Sequence, residues 1–393
     1  GSINLYAMID FKDGKAEFNW ERYIETIKWA YRFLDNVIDV NKYPLPEIEE
    51  GSKSVRRVGL GYMGLADAMF ALGIPYSSEE GFKFIMKVTE YLTYYAMLES
   101  IERAKTRGVF PRYNQTTYKD GELLIEGYYH KELWTLDWDK IVELIKKYGI
   151  RNVEVTSIAP TGSISMLVDV SSGIEPQYAL VYEKRVTAGV YYYVDVELER
   201  QLKERGLYKE EILKKISDNG GSLLGIDEIP DDLKRVFLTA LDIPWWDHVR
   251  AQAVAQLWIT TSISKTINMP SWVTPEDVLG AYIFAYKSGC KGITIYREGS
   301  KSTQVYNAPA EAGRNRLKDY FRLIKEGKIE NKTLEILEKF GIKVPVWYYE
   351  LIEENKQNKV IKININIPEP RITPENVNND LKVEKCPVCG STR

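Results

Sequence analysis

An α/β body with a small C-terminal extension is the fold class this sequence predicts, on three observations. Stretches with helical apolar spacing alternate with short β-branched apolar runs, the pattern of strand–helix units. The composition is that of a globular chain: of 393 residues 44% are hydrophobic and 28% charged, and 53 basic against 56 acidic side chains leave a formal charge of −3. At about residue 308 the character changes to Lys/Glu-rich and then Pro/Asn-rich sequence. The expected division is therefore 1–307 for the α/β body, 308–367 for a small α+β extension, and 368–393 for a flexible linker carrying a CxxC tail. At roughly 150 residues per domain, the length suits two or three domains, or one large α/β barrel with attachments. The near-neutral balance excludes a strongly basic nucleic-acid binder, and no run approaches the ~18 apolar residues of a spanning helix. Neither nucleic acid nor membrane is an expected partner. Three cysteines, Cys290, Cys386 and Cys389, are too few and too odd for a disulfide framework, so a reducing compartment, the cytoplasm, is expected.

The elements follow in order. Ile3, Leu5, Ala7 and Ile9 alternate like a strand, with no charged-then-apolar leader ahead of them, and both chain ends read as cut. Ile24, Ile27, Tyr31, Leu34 and Ile38 recur at three and four, predicting a helix over 20–39 that Tyr43-Pro44-Leu45-Pro46 ends. A second helix is predicted over 79–107, from the Ser77-Ser78-Glu79-Glu80 start to the Gly108 stop. Segments 153–159 and 292–297 read as buried strands. Residues 313–340 read as helix, 359–367 as a strand with Ile361, Ile363, Ile365 and Ile367 on one face, and 368–385 as linker.

Five constellations carry possible chemistry. Gly59-Leu60-Gly61-Tyr62-Met63-Gly64 has the dinucleotide-binding spacing, but Lys53 to Arg57 is no apolar strand and Glu79 and Glu80 open a helix, so close helix packing through small residues is the expectation. Ser157 to Ser165 runs an apolar strand into a turn of hydroxyls and free N–H groups, a phosphate-loop pattern without a lysine, followed by Ser171 to Pro176; a capped turn has the same composition. Ser264 to Pro270 and Gly289 to Ser300 put basic and hydroxyl groups at strand ends, where α/β sheets build sites. Cys290 reads as a small buried thiol and His248 as a hydrogen-bonded packing residue; with only His130 besides, no three-His metal site can form. Cys386-x-x-Cys389 is half of a zinc ribbon or a mobile dithiol, and as half a ribbon it cannot close within this chain.

Taken together the motifs GSINL (1–5), RFLDNVIDVNKYPLPEIEE (32–50), GLGYMGLAD (59–67), LGIPY (72–76), RGVFPRYN (107–114), IAPTGSIS (158–165), SSGIEP (171–176), SKTINMP (264–270) and GCKGITIYREGS (289–300) resemble the large chain of ribonucleotide reductases, most closely the adenosylcobalamin-dependent class. The resemblance implies the second half of a ten-stranded α/β barrel. It implies that Pro160, Thr161, Gly162, Ser163, Ile164 and Ser165 hold the phosphates of a ribonucleotide substrate, expected to be a diphosphate, and that Ser171 to Pro176 support them. Lys265, Asn268 and the 289–297 strand would face the barrel interior. The tail Cys386 and Cys389 would take electrons from a thioredoxin-like dithiol donor. The family's Asn-x-Cys-x-Glu loop and reducing thiols are not in this sequence, so no catalytic residue is assigned in this chain; an N-terminal half of the reductase is an expected partner and the chain alone is expected to be inactive. Metal-radical members carry two adjacent tyrosines on the last strand, whereas Ile295 precedes Tyr296 here, which favours the cobalamin class. The rival readings are a glycyl-radical relative and an inactive scaffold that pairs with another chain.

Overall fold

The computed structural model describes residues 1–186, 189–300 and 310–352. The 359–367 strand, the 368–385 linker, Cys386 and Cys389 lie outside the described residues.

Strand β1 (Ser2–Asn4) pairs in parallel with β4 (Gly61–Met63), Ile3 opposite Tyr62. The expected run to Ile9 is broken: the side chain of Asn4 accepts the N–H of Tyr6 at 3.0 Å, a 3-10 turn follows at Tyr6–Met8, and Ala7 is exposed. A hairpin of β2 (Ile9–Lys12) and β3 (Lys15–Phe18) then turns on Asp13 and Gly14, both at positive φ. Helix α1 (Trp20–Val40) is capped by Asn19, which accepts the N–H of Arg22 at 2.8 Å. Its fully buried line is Tyr23, Ile27, Tyr31 and Asp35, with Ile24, Leu34 and Ile38 only half-buried beside it. Helix α2 (Pro46–Val55) begins on the second proline of the predicted stop. Short α3 (Leu65–Leu72) lies between Gly64 and Gly73, both left-handed. Helix α4 (Glu79–Arg107) occupies the predicted span, its Ser78 cap accepting the N–H of Gly81 at 2.9 Å.

Beyond α5 (Trp138–Tyr148), residues 153–158 form no regular strand but are tied in parallel register on both sides, Leu60 to Thr156 and Ile158 to Ile263. After α6 (Gly162–Leu167) comes a hairpin of β5 (Val181–Val186) and β6 (Gly189–Val194), then α7 (Val196–Glu204), α8 (Glu210–Asp218), α9 (Asp231–Lys234) and α10 (Trp245–Gln256). Strand β7 (Thr266–Met269) pairs in parallel with β8 (Thr294–Arg297) across α11 (Pro275–Lys287). Five segments thus lie side by side in parallel, in chain order: β1, β4, 156–158, 263–269 and β8. Helix α1 packs on α4, α4 on α10 and α10 on α11, one helical layer following the same order. This is an α/β arrangement, but the described residues close no barrel, because five parallel segments with free edges cannot form a ten-stranded cylinder.

Two cores result. The larger sits between the segments and the helical layer. A smaller one lies under the β5–β6 hairpin, built by Leu180, Val194, Leu198, Ile216, Phe237 and others; Ala66 and Phe70 of α3 belong to it while Leu65 and Met69 belong to the larger core. Residues 310–352 form α12 (Ala310–Lys325), α13 (Thr333–Lys339) and α14 (Val346–Ile352) rather than one helix over 313–340. Gly327 at φ +72° breaks the run, and Ile329 turns into the core. This segment is fastened to the body by Trp246 stacked on Trp347, by Tyr320, whose hydroxyl donates to Asp247 at 3.0 Å, and by Asn331, whose amide donates to the same carboxylate at 3.0 Å.

Candidate functional site

The C-terminal ends of parallel strands are where α/β folds build sites, because strands end there together and loops carry polar groups across them. Ile158 leads directly into Ala159-Pro160-Thr161 at such an end. Thr161 adopts φ +55°, left-handed and uncommon for a β-branched residue, and opens α6. Pro160, Gly162, Ser163 and Ile164 are exposed, whereas Thr161 and Ser165 are buried. The two buried hydroxyls face inward: Thr161 Oγ1 accepts the N–H of Gly173 at 2.8 Å, and Ser165 Oγ lies 2.8 Å from Ser172 Oγ. The outward donors are the Ser163 hydroxyl and the first-turn N–H groups of Gly162, Ser163 and Ile164, which have no intrahelical acceptors. Among the described residues, nothing beyond its chain neighbours and its own helix backbone comes within 4 Å of a Cβ built on Gly162.

The 171–176 segment is a strap beneath this loop, held at each end. At one end Ser171 receives the N–H of Ala66 on its hydroxyl at 3.1 Å and that of Gly64 on its carbonyl at 2.8 Å, and gives its own N–H to Asp67 Oδ2 at 2.7 Å. In the middle, Tyr76 donates to the Ile174 carbonyl at 2.5 Å. At the other end Glu175 accepts from Lys265 Nζ and from the N–H of Thr266, each at 2.5 Å. Lys265 also donates to His248 Nδ1 at 2.9 Å and to its neighbour's carbonyl, that of Thr266, at 2.7 Å. Burial pulls the Lys265 ammonium below its usual range, with Glu175 opposing that shift. Burial, reinforced by the Lys265 charge, holds His248 well below the usual imidazole range. His248 is thus a neutral packing residue, as the sequence suggested, its Nε2–H facing the Ala240 carbonyl at 2.8 Å.

Other expectations resolve differently. Gly59-x-Gly61-x-x-Gly64 serves close packing, but against strands rather than a helix: a Cβ on Gly61 would meet the Ser157 carbonyl oxygen at 2.3 Å, and one on Gly59 the Ser157 Cβ at 3.2 Å. Gly64, at φ +69°, lies against Asn4 Oδ1. Glu79 opens α4 and pairs with Arg250. Lys265 does not face an open interior; its side chain has no exposed surface. The basic groups of the last strand fasten backbone: Lys291 donates to the Thr260 carbonyl at 2.6 Å, and the Arg297 guanidinium reaches the carbonyls of Ser271 and Val273. Cys290 is partly buried, and desolvation pushes its thiol up to about 12, which removes it as a nucleophile at neutral pH. His130 sits on an exposed turn, its Nε2 3.2 Å from Glu126. Among the described residues no three His, Cys, Asp or Glu side chains converge to hold a metal, and no helix is long and apolar enough to cross a membrane.

Sequence reasoning missed the groups under the strap. Asp67, Gln177 and Asp195 converge from three distant stretches, as do Glu175, Lys265 and His248; Glu175, Lys265 and His248 were visible singly, but nothing in their spacing signals contact.

The family model for the ribonucleotide reductase barrel domain matches residues 1–296. Over 339 residues the chain is 38% identical to the vitamin B12-dependent ribonucleoside-diphosphate reductase of Thermoplasma acidophilum, covering 86% of this chain and 40% of that protein. The enzyme of the same name from Mycobacterium tuberculosis H37Rv is 36% identical over 312 residues, 79% of this chain and 40% of the relative. A ribonucleoside-diphosphate reductase subunit alpha from Chlamydia pneumoniae is 36% identical over 318 residues, 78% of this chain and 30% of the relative. The chain spans about two fifths of the length of the B12-dependent relatives it matches. With three quarters of its residues inside the family match, and with strand-end loops at the positions the motifs indicated, this chain belongs to the ribonucleotide reductase barrel-domain family.

Proposed function

We propose that this chain supplies the substrate-phosphate loop and one half of the barrel of a cobalamin-dependent ribonucleoside-diphosphate reductase. The observation that carries the reading is the 159–165 loop at a strand end, with its two buried hydroxyls spent on the strap below and its outward face left to N–H groups and the Ser163 hydroxyl. Such a face suits the clustered negative charge of a diphosphate, since each donor to an anion forms a charge-assisted hydrogen bond. Pro160 and the left-handed Thr161 turn the backbone so that Gly162, Ser163 and Ile164 present their N–H groups together.

In the full reaction the ribose 2′-hydroxyl leaves as water and hydrogen takes its place, while two thiols lose their hydrogens and become a disulfide. The thiyl cysteine, its glutamate and the reducing thiols of that scheme are not in this sequence, so they would come from an N-terminal half. Cys386 and Cys389 would return electrons from a thioredoxin-like donor by disulfide exchange. The names of the relatives and the Ile295-Tyr296 pair support cobalamin as the radical source, and the resemblance implies its adenosyl form. Of the two histidines, His248 is buried with both ring nitrogens engaged, and His130 lies beside Glu126 on the surface. A cytoplasmic location completes the proposal.

The test is reconstitution. The 393-residue chain alone forms no deoxynucleotide, and adding a polypeptide that carries the Asn-x-Cys-x-Glu half restores cobalamin-dependent formation. Turnover by the chain alone, or none after mixing with the complementary half, would sink the proposal.

A further inference from the structure

The loop proposed to hold the substrate phosphates does not position itself. All three polar groups of Ser171 end on residues 64–67: its hydroxyl on Ala66 N, its carbonyl on Gly64 N, and its N–H on the Asp67 carboxylate at 2.7 Å. From Ser171 the next two residues reach the loop, Ser172 through Ser165 and Gly173 through Thr161. Asp67 is 5% exposed, and its hydrogen-bond partners are neutral: Ser171, and the Gln177 amide, which donates to Oδ1 at 3.0 Å. A buried carboxylate without a cationic partner is costly, and such groups concentrate where a structure must be held in one arrangement.

We propose that Asp67 is a positioning residue for the substrate, setting the phosphate loop through Ser171 and the strap. The inference rests on the reading of 159–165 as the phosphate loop. Asp67 touches no substrate itself; it is two hydrogen-bonded steps from the loop's buried hydroxyls.

The surroundings make this arrangement sensitive to pH. Across Gln177, whose amide also lies 3.4 Å from Asp195 Oδ2, stands a second buried carboxylate. Asp195 caps α7 by accepting the N–H groups of Glu197 and Leu198, each at 3.1 Å. Glu197, paired with Arg200, and the phenols of Tyr6 and Tyr193 also face the pair. Burial raises both carboxylates above the usual range, and the charge of Asp67 adds to the rise of Asp195, to about 7. Protonation of Asp67 removes an acceptor from the clasp, so the loop is best held above the pair's titration and loosens below it.

The test is Asp67→Asn in the assembled reductase. Asparagine matches the shape but offers one acceptor, so either Ser171 or Gln177 faces an N–H. KM for the ribonucleoside diphosphate should rise about tenfold, the equivalent of ~1.4 kcal/mol, with kcat within about twofold, since no reacting atom is touched. As pH rises through the raised titration of Asp67, the ratio of variant to wild-type KM should grow, because wild type gains its clasp on deprotonation and the variant does not; taking the ratio cancels the substrate's own titration. A purely structural role would lower the amount of folded enzyme and leave KM and its pH profile alone. A KM within twofold of wild type and a flat ratio, while Ser163→Ala raises KM, overturns the inference but keeps the loop. Unchanged KM for Ser163→Ala, Thr161→Ala and Gly162→Val removes the loop, and this inference with it. Should Asp67→Asn fail to fold, Ser172→Ala cuts the same chain at a half-buried hydroxyl; a severalfold rise in KM is expected, and no change overturns the proposal.

Discussion

Asp35→Ala should be among the most damaging single substitutions in this chain. Asp35 is completely buried on α1 and accepts from Arg56 Nη2 at 2.8 Å and Nε at 3.2 Å, from Arg151 Nε at 3.1 Å, and from Asn152 Nδ2 at 2.9 Å. These partners bring α1 against the residues that open both the 58–63 and the 153–158 segments, so the carboxylate joins helix layer to strand layer. Breaking a buried pair by deleting one partner costs roughly 3–5 kcal/mol, because the remaining charge stays buried without compensation. Two features decide where in that range the loss falls. Arg56 keeps Asp39 at 2.7 Å, and Arg151 keeps the carbonyls of Arg107 and Gly108 at 2.9 and 3.0 Å. The lower end, about 3 kcal/mol, is therefore expected for Asp35→Ala, and about half of it for Asp35→Asn, which retains one acceptor. Urea unfolding of the purified chain, followed by tryptophan fluorescence, measures it as a shift in midpoint at unchanged slope. The double variant Asp35→Leu with Arg56→Met should lose less than Asp35→Ala, since one stranded charge is gone with its partner. A loss under about 1 kcal/mol for Asp35→Ala, or a double variant less stable than the single, would refute the reasoning.

Four further outcomes are expected. Gly61→Val should cost about 3 kcal/mol or more, the severe end of overpacking, because its Cβ would meet the Ser157 carbonyl at 2.3 Å and backbone cannot yield as a side chain can; Gly51→Ala, with open space in the middle of α2, should instead stabilise by about 0.5–1 kcal/mol in the same unfolding assay. In the assembled enzyme Ser163→Ala and Thr161→Ala should each weaken nucleotide binding by about 1–3 kcal/mol by calorimetry, the second indirectly through the stranded Gly173 N–H, with Gly162→Val worst; three unchanged affinities would dismiss the loop. For Asp195 the folded value of about 7 lies above the unfolded ~3.9, so the folded state keeps a proton that the unfolded state releases, and stability from this group is present at pH 4 and lost as pH rises toward 7. Wild type should accordingly gain stability relative to Asp195→Asn as pH falls across that window, and a constant difference would contradict it. Cys386→Ser should spare a single turnover driven by dithiothreitol and abolish multiple turnover with a protein dithiol donor; equal rates would reject the shuttle role.

Much of this protein was legible locally. Capped helices such as α4 announce themselves because a serine accepting the third N–H and a glycine at the end are short-range physics, complete within a few residues. The α/β class followed from alternation of periods, and the order of family motifs singled out the 158–165 loop at a strand end. The 153–158 segment was only partly legible: its apolar residues are there, but its pairing depends on Leu60 and Ile263, each about a hundred residues away in sequence. The predicted helix over 313–340 failed for the same reason, since charge and propensity favoured continuation while Gly327 and the pull of Ile329 into the core ended it. What only the tertiary structure decided is the work of the polar groups. Sequence placed Lys265 and the hydroxyls of Thr161 and Ser165 in motifs, and suggested that they face ligand; folding spends them on Glu175, Gly173 and Ser172. A side chain's chemistry is written in its residue type, but whether it meets water, substrate or another buried group depends on which distant segment folds against it, and desolvation then compels it to pair there.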